Sequence, residues 1–179
     1  GQQVLVLLPE IGLTPQQIQR FKDRFEVNIA VQHSGLTDTE RTQYWLDARS
    51  GKAKIIIGTR SAIWTPLFNP GLYIIDEEHD LSYKQQDGFR YSARDMLITR
   101  ASHDNVPVVL GSATPSLESL YNVKKKRFKH LVLPVRAASA KLPTYRLLDI
   151  RGKKMHGPLS QTLVDEITEH LNRKNQVLL

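Results

Sequence analysis

Short apolar runs alternate with amphipathic segments along the chain. The apolar runs cover residues 4–8, 27–32, 54–58, 72–75 and 106–110. They lack the alternation of apolar and polar positions that marks a half-exposed strand, so they predict strands buried on both faces. Strands that alternate with helices favour parallel pairing. The pattern therefore predicts an α/β fold with a mostly parallel sheet and helices on both of its faces.

Hydroxyl residues mark the expected starts of the helices. A Ser or Thr can accept a hydrogen bond from the first helical turn, and a residue three positions later can return one, which forms a capping box. The pairs with this spacing are Thr14 with Gln17, Thr37 with Glu40 and Ser92 with Asp95, and Ser116 and Ser160 are further candidate caps. In the first helix, Ile18, Phe21 and Phe25 are expected to form the buried stripe.

The composition is that of a globular protein. The chain has 179 residues, 40% of them hydrophobic and 24% charged, which suits one domain with a sizeable core. It has no apolar run of membrane-spanning length and no signal peptide, so we expect a soluble protein without a membrane partner. Cysteine is absent, which excludes disulfides and thiolate sites within the chain. The net charge of +7 suits a polyanionic partner but indicates nucleic acid only weakly.

The predicted strand at residues 72–75 ends abruptly in Asp76, Glu77, Glu78 and His79. Ligands of open α/β sheets bind at the carboxyl ends of such strands. In phosphoryl transfer, one strand-end acid typically holds Mg²⁺ while a neighbouring carboxylate orients or deprotonates the attacking water. Asp76 is therefore the candidate metal ligand and Glu77 the candidate for the water. The alternative is that these acids cap the following turn or lie on a solvated face.

Two further strand ends carry polar residues. Gly111, Ser112, Ala113 and Thr114 follow the run at 106–110, where glycine permits a tight turn. Alone this segment is a turn before a helix cap. Arg60 follows the run at 54–58, where a guanidinium suits a phosphate, although a solvated arginine is an equally good interpretation of its position alone.

The acidic residues and Ser112-Ala113-Thr114, some thirty residues apart, together resemble motifs II and III of the DExH helicases of superfamily 2. Segments 9–16, 33–36, 58–62 and 83–91 occur in the same order as in the replication-restart DNA helicases of bacteria. The resemblance runs along essentially the whole chain.

This resemblance implies a RecA-like P-loop NTPase helicase lobe. It further implies an ATP-dependent 3′-to-5′ DNA helicase that unwinds DNA at stalled forks and promotes primosome assembly. The expected cofactors are ATP and Mg²⁺. The expected partners are single-stranded and forked DNA, primosome proteins and single-stranded-DNA-binding protein, in the bacterial cytoplasm.

The family's phosphate loop, Gly-x-x-x-x-Gly-Lys-Ser/Thr, does not occur in this chain. The resemblance therefore implies a truncated lobe one over residues 1–134, without its first strand and phosphate loop, a linker over 135–157, and the start of lobe two over 158–179. Zinc is expected only in a C-terminal part of the family outside this chain. Such a fragment is expected to be inactive alone, and a nucleic-acid-binding or protein-interaction module remains the alternative class.

Carried onto this sequence, the family's roles are as follows. Asp76 would hold Mg²⁺ through ATP, Glu77 would serve catalysis and nucleotide binding, and His79 would couple nucleotide state to the Ser-Ala-Thr motif. The residues implied in DNA binding or coupling are Thr59, Arg60, Tyr83, Lys84, Phe89, Arg90, Tyr91, Ser112 and Thr114.

The irregular spacing of the three aromatic residues in segment 81–91 predicts a mobile loop with exposed rings that stack on bases. The alternative is that these rings pack against the core, with Tyr91 the first candidate for burial.

Overall fold

The computed structural model describes residues 1–135 and 144–179; part of the predicted linker, residues 136–143, lies outside the described residues. The chain divides into two compact units, Gly1–His130 and Leu131–Leu179. No described helix is both long and apolar enough to cross a membrane.

The first unit is built on a five-stranded parallel sheet. Its strands are β1 (Gln3–Leu7), β2 (Ile29–Gln32), β3 (Ile55–Gly58), β4 (Pro70–Ile75) and β7 (Val108–Leu110), in the spatial order β2-β3-β1-β4-β7. Leu7 pairs with Gly58 and Ile75, and Ile75 pairs with Leu110. The carboxyl ends of four neighbouring strands are therefore level, and the loops that follow them share one edge of the sheet.

Helices cover both faces of this sheet, as predicted. The helices of the first unit are α1 (Pro15–Arg24), α2 (Asp38–Arg49), α3 (Ala93–Asp104) and α4 (Leu117–Lys124), of which α1, α2 and α3 contribute to the two buried clusters of the sheet. Leu5 and Leu7 of β1 belong to a buried cluster with α2 and α3, while Val6 belongs to a second cluster with Phe21 of α1. The two-residue period of the strand sends alternate side chains to opposite faces, so both faces of β1 are buried.

The predicted residues cap the helices, but only one of the three predicted capping boxes is complete. Thr37 and Glu40 form the complete capping box, whereas Thr14 and Ser92 supply only the accepting hydroxyl. Ser116 caps α4. The predicted burial of Phe25 is wrong: its side chain is 42% exposed, because α1 ends at Arg24 and Phe25 continues as extended backbone.

A buried glutamine connects β1 to three other parts of the chain. Gln3 Nε2 donates to the carbonyl oxygens of Ala48 and Ala53 at 2.9 and 2.7 Å. Its Oε1 accepts from the backbone N–H groups of Phe68 and Asn69 at 2.7 and 3.1 Å. Two donors and two acceptor positions are all that a side-chain amide offers, so this buried group is fully satisfied.

The second unit contains a short antiparallel pair, β8 (Met155–His156) and β9 (Leu159–Ser160), and the helix α5 (Gln161–Asn172). Ser160 caps α5 as predicted, by accepting from the backbone N–H of Leu163 at 3.3 Å. Strand β8 lies within the segment predicted as a linker. The division of the chain after His130 also differs from the predicted boundary at residue 134.

Candidate functional site

The predicted catalytic residues lie in two adjacent loops at the carboxyl edge of the sheet. The acidic loop, residues 76–79, follows β4, and the hydroxyl loop, residues 111–116, follows β7. Gly111 N–H donates to Ile75 O at 2.8 Å, and Glu78 N–H donates to Gly111 O at 2.9 Å. These bonds extend the strand pairing into the two loops and hold them side by side.

Asp76 and Glu77 stand at the end of β4 with accessible carboxylates. Asp76 is exposed and its Oδ1 accepts the backbone N–H of Glu77 at 3.0 Å. Glu77 adopts a left-handed backbone conformation with φ of +46°, which is uncommon for a residue with a side chain and recurs at active sites as well as at turns and helix ends. Within the described residues, no group of three acidic, histidine or cysteine side chains could hold a metal ion. A lone exposed Asp suits Mg²⁺ that is bound mainly by phosphate oxygens and water.

His79 lies between the acidic loop and the hydroxyl loop. Its Nδ1 is 2.7 Å from Ser112 Oγ, and its Nε2 is 3.2 Å from Thr114 Oγ1. The Nδ1 atom is also 3.6 Å from a carboxylate oxygen of Glu77. One imidazole thus contacts the candidate catalytic acid and both predicted hydroxyl residues. The structure therefore brings together four residues that the sequence had assigned to one site.

Glu78, to which the sequence analysis gave no separate role, forms a buried junction between the same two loops. Its side chain is 1% exposed and pairs with Arg94 of α3 at 3.2 Å. It also accepts from Ser116 N–H at 2.6 Å and from the hydroxyls of Ser116 and Ser119 at 3.0 Å each. Burial alone would raise the pKa of Glu78, but these hydrogen bonds outweigh burial and hold the pKa below its usual value.

Replacing Glu78 by Gln should make stability less dependent on pH. Because the folded-state pKa of Glu78 is lowered from 4.5, its carboxylate stabilises the fold above that pH, and this contribution is lost as pH falls further. At pH 7 we expect Glu78→Gln to cost about 1.5–3 kcal/mol, the range for charged hydrogen bonds.

Urea unfolding between pH 3 and pH 7 measures this difference. The stability curves of the two proteins should approach each other as pH falls below 4.5. If the difference in unfolding free energy between the two proteins were constant across this pH range, Glu78 would not be a stabilising carboxylate with a lowered pKa.

The aromatic loop, residues 81–91, follows the acidic loop and contains two short paired strands, β5 (Lys84–Gln85) and β6 (Tyr91–Ser92). Phe89 at its tip is 74% exposed and Tyr91 is half-buried, so Phe89 is the ring most accessible to a base. Lys84 and Arg90 are exposed beside these rings. An accessible ring with neighbouring cations is the arrangement that single-stranded nucleic acids favour.

The prediction that Tyr83 is exposed is wrong. Its ring is 1% exposed, and its hydroxyl donates a hydrogen bond shared between the carbonyl oxygens of Asp76 and Leu7, at 2.7 and 3.2 Å. Burial raises the pKa of Tyr83, and nearby carboxylates add to this effect, so the hydroxyl remains a donor. The ring cannot stack on a base, but it links the start of the aromatic loop to the acidic loop.

The structure also places Thr59 and Arg60, the predicted DNA contacts, differently from the prediction: Thr59 is buried, and Arg60 is hydrogen-bonded within the protein. Thr59 is buried, so its side chain is not available to a DNA backbone. Arg60 Nη1 donates to the carbonyl oxygens of Ser82 and Lys84 in the aromatic loop, at 3.0 and 3.2 Å. Arg60 therefore contacts the aromatic loop itself.

Sequence reasoning missed Trp64 and Arg94. Trp64 packs against Phe89 and Tyr91 with ring centroids 6.2 and 5.3 Å apart. Neither residue belongs to a local pattern, since their partners are 16 to 27 positions away along the chain. Only their positions in the sequence could have indicated a role. Trp64 lies four residues after Arg60, and Arg94 lies three residues after the end of the aromatic loop.

A parallel sheet with an acidic loop and a hydroxyl loop at adjacent strand ends defines a RecA-like helicase domain. The DEAD/DEAH box helicase family matches residues 1–123, and the chain belongs to this family.

Among the relatives of the chain is the replication restart protein PriA of Haemophilus influenzae, 52% identical over 179 residues, which are 100% of this chain and 24% of that protein. PriA of Bacillus subtilis is 41% identical over 182 residues, covering 100% of this chain and 23% of its own. The chain thus spans about a quarter of the length of these relatives. Among solved structures, RecG bound to a three-way DNA junction is 25% identical over 68% of this chain and 15% of its own, with a TM-score of 0.46.

Proposed function

We propose that this chain is the hydrolytic and coupling part of an ATP-dependent 3′-to-5′ DNA helicase. The observation that carries the proposal is the position of His79, within 2.7 to 3.6 Å of Ser112, Thr114 and Glu77. A residue that contacts both the acidic and the hydroxyl loop can make the geometry of one depend on the state of the other.

The residues of the acidic loop divide the chemistry between them. Asp76 would hold Mg²⁺ through ATP, and the ion supplies charge neutralisation for the transferred phosphoryl group. Glu77 would orient the attacking water and accept its proton. His79 would fix the position of the Glu77 carboxylate relative to the hydroxyls of Ser112 and Thr114. Glu78 would support these contacts by fixing the two loops to each other.

On the DNA side, the aromatic loop is the proposed contact. Phe89 would stack on bases of single-stranded DNA, and Lys84 and Arg90 would contact phosphates. The hydroxyl of Tyr83 donates a hydrogen bond to the carbonyl oxygen of Asp76, so a shift of the aromatic loop on DNA binding would reach the acidic loop directly.

The wider role follows from the relatives, which are named replication restart proteins. We propose that the protein carrying this chain unwinds DNA at stalled forks and promotes primosome assembly in the bacterial cytoplasm. It would act with primosome proteins and single-stranded-DNA-binding protein. Zinc would be bound only in a C-terminal part of that protein outside this chain.

Replacing Phe89 by Ala tests the proposed coupling in the full-length enzyme. Loss of one stacked base is worth about 1–3 kcal/mol, so DNA stimulation of ATP hydrolysis should fall about 5- to 150-fold. DNA-free hydrolysis and the melting temperature should change much less, because the Phe89 ring is exposed. Steady-state hydrolysis with and without single-stranded DNA measures both quantities.

A control substitution at Phe68, another exposed phenylalanine outside the aromatic loop, should leave DNA stimulation intact. Equal losses in stimulated hydrolysis, DNA-free hydrolysis and stability after Phe89→Ala would show that the ring supports the fold. If the full-length protein bound DNA without hydrolysing ATP, the alternative of a nucleic-acid-binding module would replace the helicase proposal.

A further inference from the structure

The turn Arg60–Trp64 contacts the aromatic loop at both of its ends. At the start of the loop, the two Nη1 hydrogens of Arg60 are donated to Ser82 O and Lys84 O at 3.0 and 3.2 Å. At the end of the loop, Trp64 packs edge-to-face with Tyr91 and in a tilted arrangement with Phe89. The ring centroids are 5.3 and 6.2 Å apart, respectively. The polar and the aromatic contact come from one short turn.

This turn is itself fixed in the first unit. It follows β3 directly, and a Cβ atom on Gly58 would lie 2.4 Å from Ala62 Cβ and 2.5 Å from Gln32 O, so backbone and turn approach as closely as glycine allows. Ala62 is buried. At the far end of the turn, Arg100 Nη1 of α3 donates to Ile63 O and Thr65 O at 2.7 and 2.9 Å.

A fixed turn that contacts a loop at both ends determines where that loop lies. Two of the five N–H donors of Arg60 are used by these carbonyl oxygens, so these two donors could reach a phosphate only by releasing the start of the loop. The exposed half of Trp64 also extends the ring surface of Phe89 and Tyr91. These contacts favour a role for the turn that acts through the loop.

We propose that the Arg60–Trp64 turn is the platform that positions the aromatic loop for single-stranded DNA, and that Arg60 is a positioning residue rather than a phosphate ligand. The inference rests on the proposed helicase function and deepens it. It replaces the direct DNA contact that the sequence suggested for Arg60.

The salt dependence of DNA binding separates the two roles of Arg60. Each phosphate contact on single-stranded DNA contributes about 0.7 to the slope of log K against log salt concentration. In a full-length protein that already carries Lys84→Gln and Arg90→Gln, and so lacks the phosphate contacts of the loop, a further Arg60→Gln change should leave this slope unchanged for oligo-dT. Arg90→Gln alone, the matched control within the aromatic loop, should lower the wild-type slope by about 0.7. An equal decrease for Arg60→Gln would overturn the proposal.

A double-mutant cycle tests whether Arg60 acts through the loop. Arg60→Gln should lower the ATP turnover number at saturating oligo-dT about tenfold, as expected for two lost hydrogen bonds. The double variant Arg60→Gln/Phe89→Ala should be no slower than the slower single variant, because both changes disable the same element. Multiplicative losses would show independent action and overturn the proposal.

Limited trypsin digestion gives a readout that does not depend on activity. Release of the loop in Arg60→Gln should speed cleavage after Lys84 and Arg90, whereas cleavage elsewhere in the chain should keep its wild-type rate. Trp64→Ala should have the same effect and Trp64→Phe a smaller one. Unchanged cleavage in Arg60→Gln would overturn the platform. If wild-type hydrolysis were not stimulated by DNA at all, the proposed function itself would fail.

Discussion

Replacing Glu77 by Gln in the full-length enzyme is expected to reduce ATP turnover by about 10²- to 10⁴-fold, the usual contribution of a general base. The amide keeps the size of the side chain but cannot accept a proton from water. The backbone of Glu77 is already held in its left-handed conformation by bonds to neighbours: its N–H donates to Asp76 Oδ1, and its carbonyl accepts from Asp80 N–H. The substitution should therefore leave the geometry of the acidic loop unchanged.

Two measurements accompany the turnover assay. Equilibrium binding of ATP with Mg²⁺ should change less than about threefold in Glu77→Gln, because the amide keeps the size of the side chain and the proton acceptor acts only in the reaction. Glu26→Gln is the matched control: Glu26 is exposed and precedes β2, at the opposite edge of the sheet. Turnover by Glu77→Gln within fivefold of wild type would assign the base to another residue.

The sequence predicted the sheet well, for a physical reason. The order of apolar runs and caps is local information, and parallel strands with helices between them follow from it with few alternatives. Five predicted strands correspond to β1, β2, β3, β4 and β7. The level ends of β4 and β7 place the acidic loop beside the hydroxyl loop. The assignment of both loops to one site came from their resemblance to helicase motifs.

What the sequence could not predict is which side chain of a run points into the protein. Glu77 and Glu78 are adjacent and chemically identical, yet Glu78 is buried by partners on α3 and α4 and Glu77 is accessible. The same applies to Tyr83 and Phe89, since the short turn after Asp80 directs Tyr83 towards β1. Which of two neighbouring side chains is buried depends on contacts between distant segments. The spacing of residues within the loop does not predict these contacts.

The largest effect on stability is expected from Gln3. Its substitution by Leu would remove the amide from two carbonyl oxygens, those of Ala48 and Ala53, and from two partly buried N–H groups, those of Phe68 and Asn69. Ala48 O keeps the hydrogen bond from Gly51 N–H, so three groups lose their partner. Each unsatisfied group costs about 1–3 kcal/mol, while an added leucine contributes about 1.5–3 kcal/mol through apolar burial. For three such groups, the middle of both ranges gives a net loss of about 3–4 kcal/mol.

Hydrogen exchange in the full-length protein measures this loss locally. Because every 1.4 kcal/mol is a factor of ten, amides of β1 and β3 should exchange about 100-fold faster or more in Gln3→Leu. Gln2→Leu is the matched control, since Gln2 is the adjacent residue and is exposed, and surface substitutions usually change stability by less than about 0.5 kcal/mol. By sequence alone, Gln3 could equally be a solvent-exposed residue at the start of the first strand, because it directly precedes the apolar run. If the two leucine variants exchanged at the same rate, water would be replacing the amide, and Gln3 would not hold the first unit together.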